Sequence, residues 1–211
     1  MNYLFIGIQG SGKGTQAEIT SKNLNMPHIS TGDLLRATTG KEREEIDSYI
    51  TKGNLVPNSL ILKILLERLS MKDCKNGFIL DGYPRNLQQA EDMDAIGIKI
   101  DNAFNIEISD QEAVRRIIGR WSCKKCGTTY NINVKSLKPK QDKICDACGS
   151  ELSQRTDDAS IDAINQRLKT YHKEITPVIK FYNTTKVNGE QPVEKVSEDI
   201  EKAIKWMRMF K

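Results

Sequence analysis

The feature that narrows the fold most is a glycine-dense turn set between an apolar run and a helical pattern. Tyr3 to Ile8 reads as a short buried strand, and a helical pattern runs from about Thr15 to Leu24. Between them lies Gly7-Ile8-Gln9-Gly10-Ser11-Gly12-Lys13-Gly14-Thr15. Glycines let successive backbone N–H groups turn inward, the helix N-terminus adds positive potential, and Lys13 supplies a mobile cation. The arrangement suits a polyphosphate. The strict G-x-x-x-x-G-K-[ST] spacing is not met, because Gly14 separates Lys13 from Thr15; the strand before and the helix after supply what the pattern lacks. A dinucleotide site would want G-x-G-x-x-G, and the loop reads G-x-G-x-G. Asp33 does stand about 20 residues downstream, where a ribose-binding acid would sit. A lysine inside the loop favours terminal phosphates instead.

The rest of the chain keeps the alternation. Pro27 to Ile29 reads as a second strand and Asp33 to Thr39 as a helix after Ser30-Thr31-Gly32. Pro57 opens a helix over Asn58 to Met71, with Leu60, Ile61, Ile64, Leu65 and Leu69 at helical spacing. Phe78 to Leu80 is a buried-type strand ending at Asp81, and Leu87 to Ile96 is helical. Ala103 to Ile108 reads as a strand and Asp110 to Arg120 as a helix capped by Ser109. After an irregular stretch from Trp121 to Leu152, a long helix runs from Ser160 to Tyr182. A short strand around Lys186-Val187 and an amphipathic helix from Val193 close the chain. Strands alternating with helices predict an α/β fold with a mainly parallel sheet.

Cysteine spacing marks the irregular stretch. Cys123-x-x-Cys126 and Cys145-x-x-Cys148 enclose 18 residues, inside the window for a tetrahedral zinc site. Four thiolates leave no open coordination position, so the metal is structural. A segment this short buries too little to fold unaided, and a metal supplies the deficit. Gly127 and Gly149 after each pair are expected to help a tight turn offer amides to sulfur. Iron can also take four sulfurs, and a redox reading of two pairs at ribbon spacing ranks below both metals. Cys74 stands alone and reads as buried filler.

The 211 residues, 38% hydrophobic and 28% charged, describe an ordinary globular chain, with no apolar run near the ~18 residues of a membrane span. With no secretory signal at the N-terminus, the expected address is the cytoplasm. A net charge of +4 without a dense basic block does not favour nucleic acid, and Tyr130 is the one aromatic between the cysteine pairs.

Taken together, Gly7 to Thr15, Ile29 to Arg36, Gly53 to Pro57, Asp81-Gly82-Tyr83-Pro84-Arg85, Arg116 to Arg120, the cysteine-bearing insertion and Arg155-Thr156-Asp157-Asp158 resemble adenylate kinase. The resemblance covers nearly the whole chain in the family's order. It implies a P-loop, nucleoside-monophosphate-kinase-type three-layer fold with a central parallel sheet and a small zinc-ribbon-like lid insertion. The implied core is 1–29, 57–120 and 156–211, the AMP-binding helical segment 30–56, and the zinc-binding lid 121–155. Against long-lid members the chain is shortened between Arg36 and Gly53 and again after Tyr182.

The implied reaction is ATP + AMP ⇌ 2 ADP, by a monomer with no nucleic-acid or membrane partner. By resemblance, Gly10, Ser11, Gly12, Lys13, Gly14, Thr15, Arg116, Arg120, Thr129, Tyr130 and the backbone near Gln191 surround ATP. Thr31, Arg36, Asn54, Leu55, Val56, Gly82, Tyr83, Pro84, Arg85, Gln89, Arg155 and Arg167 surround AMP. Lys13, Arg85, Arg120, Arg155 and Arg167 are the implied catalytic cations. Asp81 at a strand's carboxyl end would hold Mg²⁺ through water. Arg116 and Arg120, four apart, are expected on one helix face, with Arg115 pointing elsewhere. Asp157 and Asp158 are expected to hold arginines rather than touch substrate. No general base is needed, because a phosphate with a second pKa of about 6 is already a nucleophile. His28 and His172 are therefore given no catalytic role.

Overall fold

The computed structural model describes residues 1–50, 56–154, 158 and 160–209. A five-stranded sheet has the order β2-β3-β1-β4-β8, from β1 (Tyr3–Gly7), β2 (His28–Ser30), β3 (Ile79–Asp81), β4 (Asn102–Glu107) and β8 (Thr185–Asn188). β1 and β2 both pair with β3 in parallel, Phe5 and Ser30 each opposite Asp81. Parallel pairing demands crossovers, and the helices α1 (Lys13–Leu24) and α4 (Asn58–Leu69) lie in them. Strands this apolar suit a sheet covered on both faces: Tyr3, Leu4, Phe5, Ile79 and Leu80 are all at most 1% exposed.

The chain forms two compact units. The first comprises Met1–Ile6, Lys13–Asn105 and Pro177–Thr185. In it α1 packs on β2 and β3, and α2 (Thr31–Ala37) packs on α4. Ser30 caps α2 by accepting from the Asp33 N–H, and Asn86 caps α5 (Leu87–Ala95) in the same way from Gln89. A further helix, α3 (Gly40–Ile50), falls in the segment 30–56 that the resemblance implies to be helical, although the residue pattern alone did not mark it. Among its described side chains Ile46 is buried, at 0% exposure among Leu60 and Ile64.

The second unit comprises Gly7–Gly12, Ile106–Thr176 and Lys186–Lys211. Here α6 (Asp110–Ile118) and α7 (Ile161–Phe181) contribute Ala113, Ile117, Ile164 and Leu168 to a core shared with Ile8. α8 (Val193–Met209) buries Val196, Ile200 and Ile204, one per turn. The insertion forms a three-stranded sheet, β6-β5-β7, of β5 (Arg120–Cys123), β6 (Thr129–Asn131) and β7 (Leu152–Ser153), antiparallel throughout. Among the described residues no helix is long and apolar enough to cross a membrane.

One expectation is corrected. α6 stops at Ile118 with Gly119 as its C-cap, and Arg120 is the first residue of β5. Arg116 and Arg120 therefore do not share a helix face. At Gly119 a Cβ would come within 2.7 Å of the Asn131 and Asn133 side chains. Those side chains are there to cap the helix. Asn133 Nδ2 donates to Arg115 O (2.7 Å), Asn131 Nδ2 to Arg116 O (2.8 Å), Gln154 Nε2 to Ile118 O (3.0 Å), and the Ile132 N–H to Gly119 O (2.9 Å). All of the donors come from the insertion and its edge, and together they satisfy carbonyls that a helix end leaves open.

Candidate active site and metal centre

In the first unit, α1 begins at Lys13 and its packing on β3 brings Gly14 against the strand end. A Cβ on Gly14 would lie 3.2 Å from Asp81 Oδ2. Asp81 is 7% exposed and its Oδ1 is buried with no protein partner. His28 Nε2 stands 3.7 Å from Oδ2, beyond hydrogen-bond length. So a carboxylate oxygen without a protein partner stands at the strand's carboxyl end.

From Asp81 a hydrogen-bonded chain runs outward. Thr31 Oγ1 donates to the Asp81 carbonyl (3.4 Å), and Arg85 Nε donates to the Gly82 carbonyl (2.8 Å). The Arg85 N–H donates to Gln89 Oε1 (2.7 Å), and Gln89 Nε2 donates to Asn58 Oδ1 (2.7 Å). Thr31, Asp81, Gly82, Arg85 and Gln89 thus form one connected set. Asn58, the first residue of α4, joins it without having been singled out in the sequence; an Asn after a helix-opening proline is usually only a helix start. Tyr83 is 2% exposed with its hydroxyl unpaired, and burial, more than nearby Asp92, pushes the phenol up to about 12. The Tyr83–Pro84 peptide is cis. Arg36 is exposed and paired with Asp33. Val56 packs against the Ile46, Leu60 and Ile64 cluster. Asn54, Leu55, Arg155, Thr156 and Asp157 lie outside the described residues.

In the second unit, the loop turns through Gly10 and Gly12 at φ +85° and +91°, values that favour glycine. The Ser11 N–H donates to Ile8 O at 3.0 Å, and Ser11 is 2% exposed with its Oγ unbonded. Arg116 is fixed beside this turn. Its Nη2 donates to Gly189 O (2.9 Å), its Nη1 faces the Gly10 and Ser11 carbonyls (3.5 Å each), and its Nε donates to Glu112 (2.6 Å). Glu112 also takes two bonds from Arg115. These pairings, Arg115 first and then Arg116, hold its carboxyl at about 2. Glu112 was missed in the sequence, although a glutamate one turn before an arginine is a readable pair. Gln191 turns its side chain to Asn188 O and Asp199.

Asp158, with its side chain 1% exposed, joins two of the expected cations. It accepts Nε and Nη2 of Arg120 at 2.8 Å each and Nη1 of Arg167 at 2.9 Å. That is the arginine-holding role anticipated for this acid. His172 lies on the surface of α7 and pairs with Asp110 at 2.8 Å.

The four cysteine sulfurs all lie within 4.8 Å of one another, with Cys123–Cys148 at 3.4 Å and Cys126–Cys145 at 3.5 Å. A tetrahedron of Zn–S bonds near 2.3 Å has edges of about 3.8 Å. The four are free thiols rather than disulfides, so the set fits a structural zinc ion. The Tyr130 hydroxyl first, and then the Ala147 and Cys148 amides, bring the Cys145 thiol down to about 6. The two glycines serve the tight turns as expected, each at positive φ. The Gly127 and Gly149 N–H groups donate to the carbonyls of Cys123 and Cys145, 2.9 and 2.8 Å away. They close the turns, and neighbouring residues supply the amides to sulfur.

A family model described as adenylate kinase matches residues 5–187. The chain belongs to the adenylate kinase family. Among curated members it is similar to the adenylate kinase of Caldicellulosiruptor bescii, 39% identical over 97% of this chain and 99% of that one. The adenylate kinase of Acetivibrio thermocellus is 40% identical over 99% of this chain and all of its own length. That of Bacillus cytotoxicus is 42% identical over 95% and 97% respectively.

Proposed function

We infer that this chain catalyses reversible phosphoryl transfer from ATP to AMP, giving two ADP. One observation carries the reading: kinship with adenylate kinases runs from end to end, near 40% identity over almost the full length of both chains.

Two nucleotides bring about six negative charges together, so alignment and electrostatic stabilisation do most of the catalytic work. We assign the donor phosphates to the loop amides from Gly10 to Thr15 and to Lys13. Arg116, rigid between Glu112 and the Gly189 carbonyl, would lie along the donor nucleotide, with Thr129 and the backbone near Gln191. The Tyr130 ring packs among Cys123, Cys145 and Leu152, so a donor contact at this position falls to its backbone. We assign AMP to Thr31, Gly82, Arg85 and Gln89, whose mutual hydrogen bonds suit a preformed acceptor site, with Arg36, Val56, Tyr83 and Pro84 around it. Asn54, Leu55 and Arg155 complete the family's set.

Asp81 would hold the magnesium ion that accompanies ATP, through water, and that ion would neutralise charge on the phosphate oxygens; its buried, unbonded Oδ1 is the supporting feature. Arg120 and Arg167, paired with Asp158 in this structure, would exchange that carboxylate for phosphate oxygens. The lid, 121–155, would close over ATP and exclude water. Solution scattering with a bisubstrate analogue should show compaction; none would remove that step. A cytoplasmic monomer binding neither nucleic acid nor membrane completes the reading, and a thiol tetrad in place of disulfides suits a reducing compartment.

A coupled ADP-forming assay across AMP, UMP, CMP and GMP tests the whole. AMP should be the preferred acceptor, and Lys13→Ala should lower kcat by roughly 10²–10³-fold. Turnover with UMP far above AMP would replace this assignment.

A further inference from the structure

Tyr130 carries a polar atom that is buried against sulfur. It is 7% exposed, in the cluster of Cys123, Cys145 and Leu152, with Trp121 opposite it across the β5–β6 pairing. Its hydroxyl has two neighbours. The Asp146 N–H donates to the oxygen at 2.7 Å, and Cys145 Sγ lies 3.5 Å away. A backbone N–H can only donate, so it occupies an oxygen lone pair and leaves the phenolic proton free to face the sulfur. The direction of the O–H bond is therefore set by the main chain.

We propose that Tyr130 is a positioning residue for the metal centre, donating a hydrogen bond to the Cys145 sulfur and tying β6 to the second cysteine turn. The proposal rests on the zinc reading and goes beyond the four ligands. Hydrogen bonds to metal thiolates delocalise their charge and fix the ligand's direction, and loss of such a partner typically costs 10–100-fold in metal affinity. A second hydroxyl, Thr128 Oγ1, lies 3.1 Å from Cys126 Sγ. Cys126 is exposed, however, and water can replace that donor. Water cannot take the place of Tyr130, because Cys145 is 1% exposed. Phenylalanine would fill the same space and lose the donor to sulfur together with the acceptor of the Asp146 N–H.

The test uses the full chain with zinc, and again with cobalt(II) as a spectroscopic probe. Tyr130→Phe should keep the far-ultraviolet dichroism of the parent. It should release zinc to a chelator roughly 10–100-fold faster and shift the sulfur-to-cobalt charge-transfer bands. Thr128→Val should change both readouts less. Tyr130→Leu, which removes ring and hydroxyl together, should lose thermal stability in addition. Unchanged release and unchanged bands in a folded Tyr130→Phe would overturn the proposal while leaving zinc in place. A parent protein with no stoichiometric metal would overturn the zinc reading itself.

Discussion

The cysteine insertion and the α2–α4 segment are both short stretches with little core of their own, and they meet that shortage by different means. In the insertion, two of the buried residues of its small cluster are cysteines, and the third strand has two residues. Among the described residues of the α2–α4 segment there is no cluster of metal-ligating side chains. Ile46, Leu60 and Ile64 are buried there, with Leu34, Leu35 and Val56 packed around them. One stretch is held by a point of strong, directional bonds, the other by apolar area. The first should fail all at once when its ion leaves, and the second should weaken in proportion to the atoms removed.

Removing the metal is the largest expected effect. Structural zinc in small modules contributes about 10–16 kcal/mol of apparent binding energy at neutral pH. Chelation, or Cys145→Ser, should abolish amide-exchange protection across β5, β6 and β7 while the α2–α4 amides keep theirs. Because Asn131, Asn133 and Gln154 cap the end of α6, the last turn of that helix should fray with the insertion. Protection that survived full metal loss would mean the insertion folds on packing, and the contrast would collapse.

Ile46→Ala attacks the other side. Truncating a fully buried isoleucine costs about 2–5 kcal/mol, and the urea midpoint should fall accordingly while metal content stays at the parent level. A loss of metal in this variant would show that the two regions are not independent.

The same contrast explains what could be read beforehand. Cysteine spacing is arithmetic within one stretch of chain, and the structure gathers the four sulfurs as that arithmetic requires. The phosphate loop is similarly local: glycine at positive φ, then a helix beginning at the lysine. α3 was legible only through the resemblance, because its buried Ile46 finds its partners, Leu60 and Ile64, in α4, and nothing local announces them. Arg120 was placed on a helix because the propensity of Asp110 to Ile118 gives no stop before Gly119, and the side chains that take up the last carbonyls of that helix come from positions 131, 133 and 154. Asn58 and Tyr130 became visible as hydrogen-bonding partners only with coordinates. Long-range contacts hid these features, and composition carried no trace of them.

Acid gives a graded test on the unit that holds the insertion. The Glu112 carboxyl lies at about 2 in the fold against an ordinary 4.5. A depressed carboxylate pKa stabilises the folded state fully above the unfolded value, and that contribution is lost as pH falls through the folded one. Stability should therefore drop between pH 4.5 and about 2, and Glu112→Gln should flatten that part of the profile. If the variant and the parent ran parallel, the tether on Arg115 and Arg116 would carry no weight.

The smallest effect concerns the Lys63–Glu42 pair, 2.6 Å apart and joining α4 to α3, with the lysine side chain 59% exposed. Exposed pairs gain little, because solvent and salt screen them and two long side chains must be ordered. Lys63→Met should leave the urea midpoint within error in moderate salt, with any difference confined to low ionic strength. A shift approaching that of Ile46→Ala would mean that α3 is held by charge as much as by area. The α2–α4 segment would then resemble the insertion, each fastened by a few polar contacts.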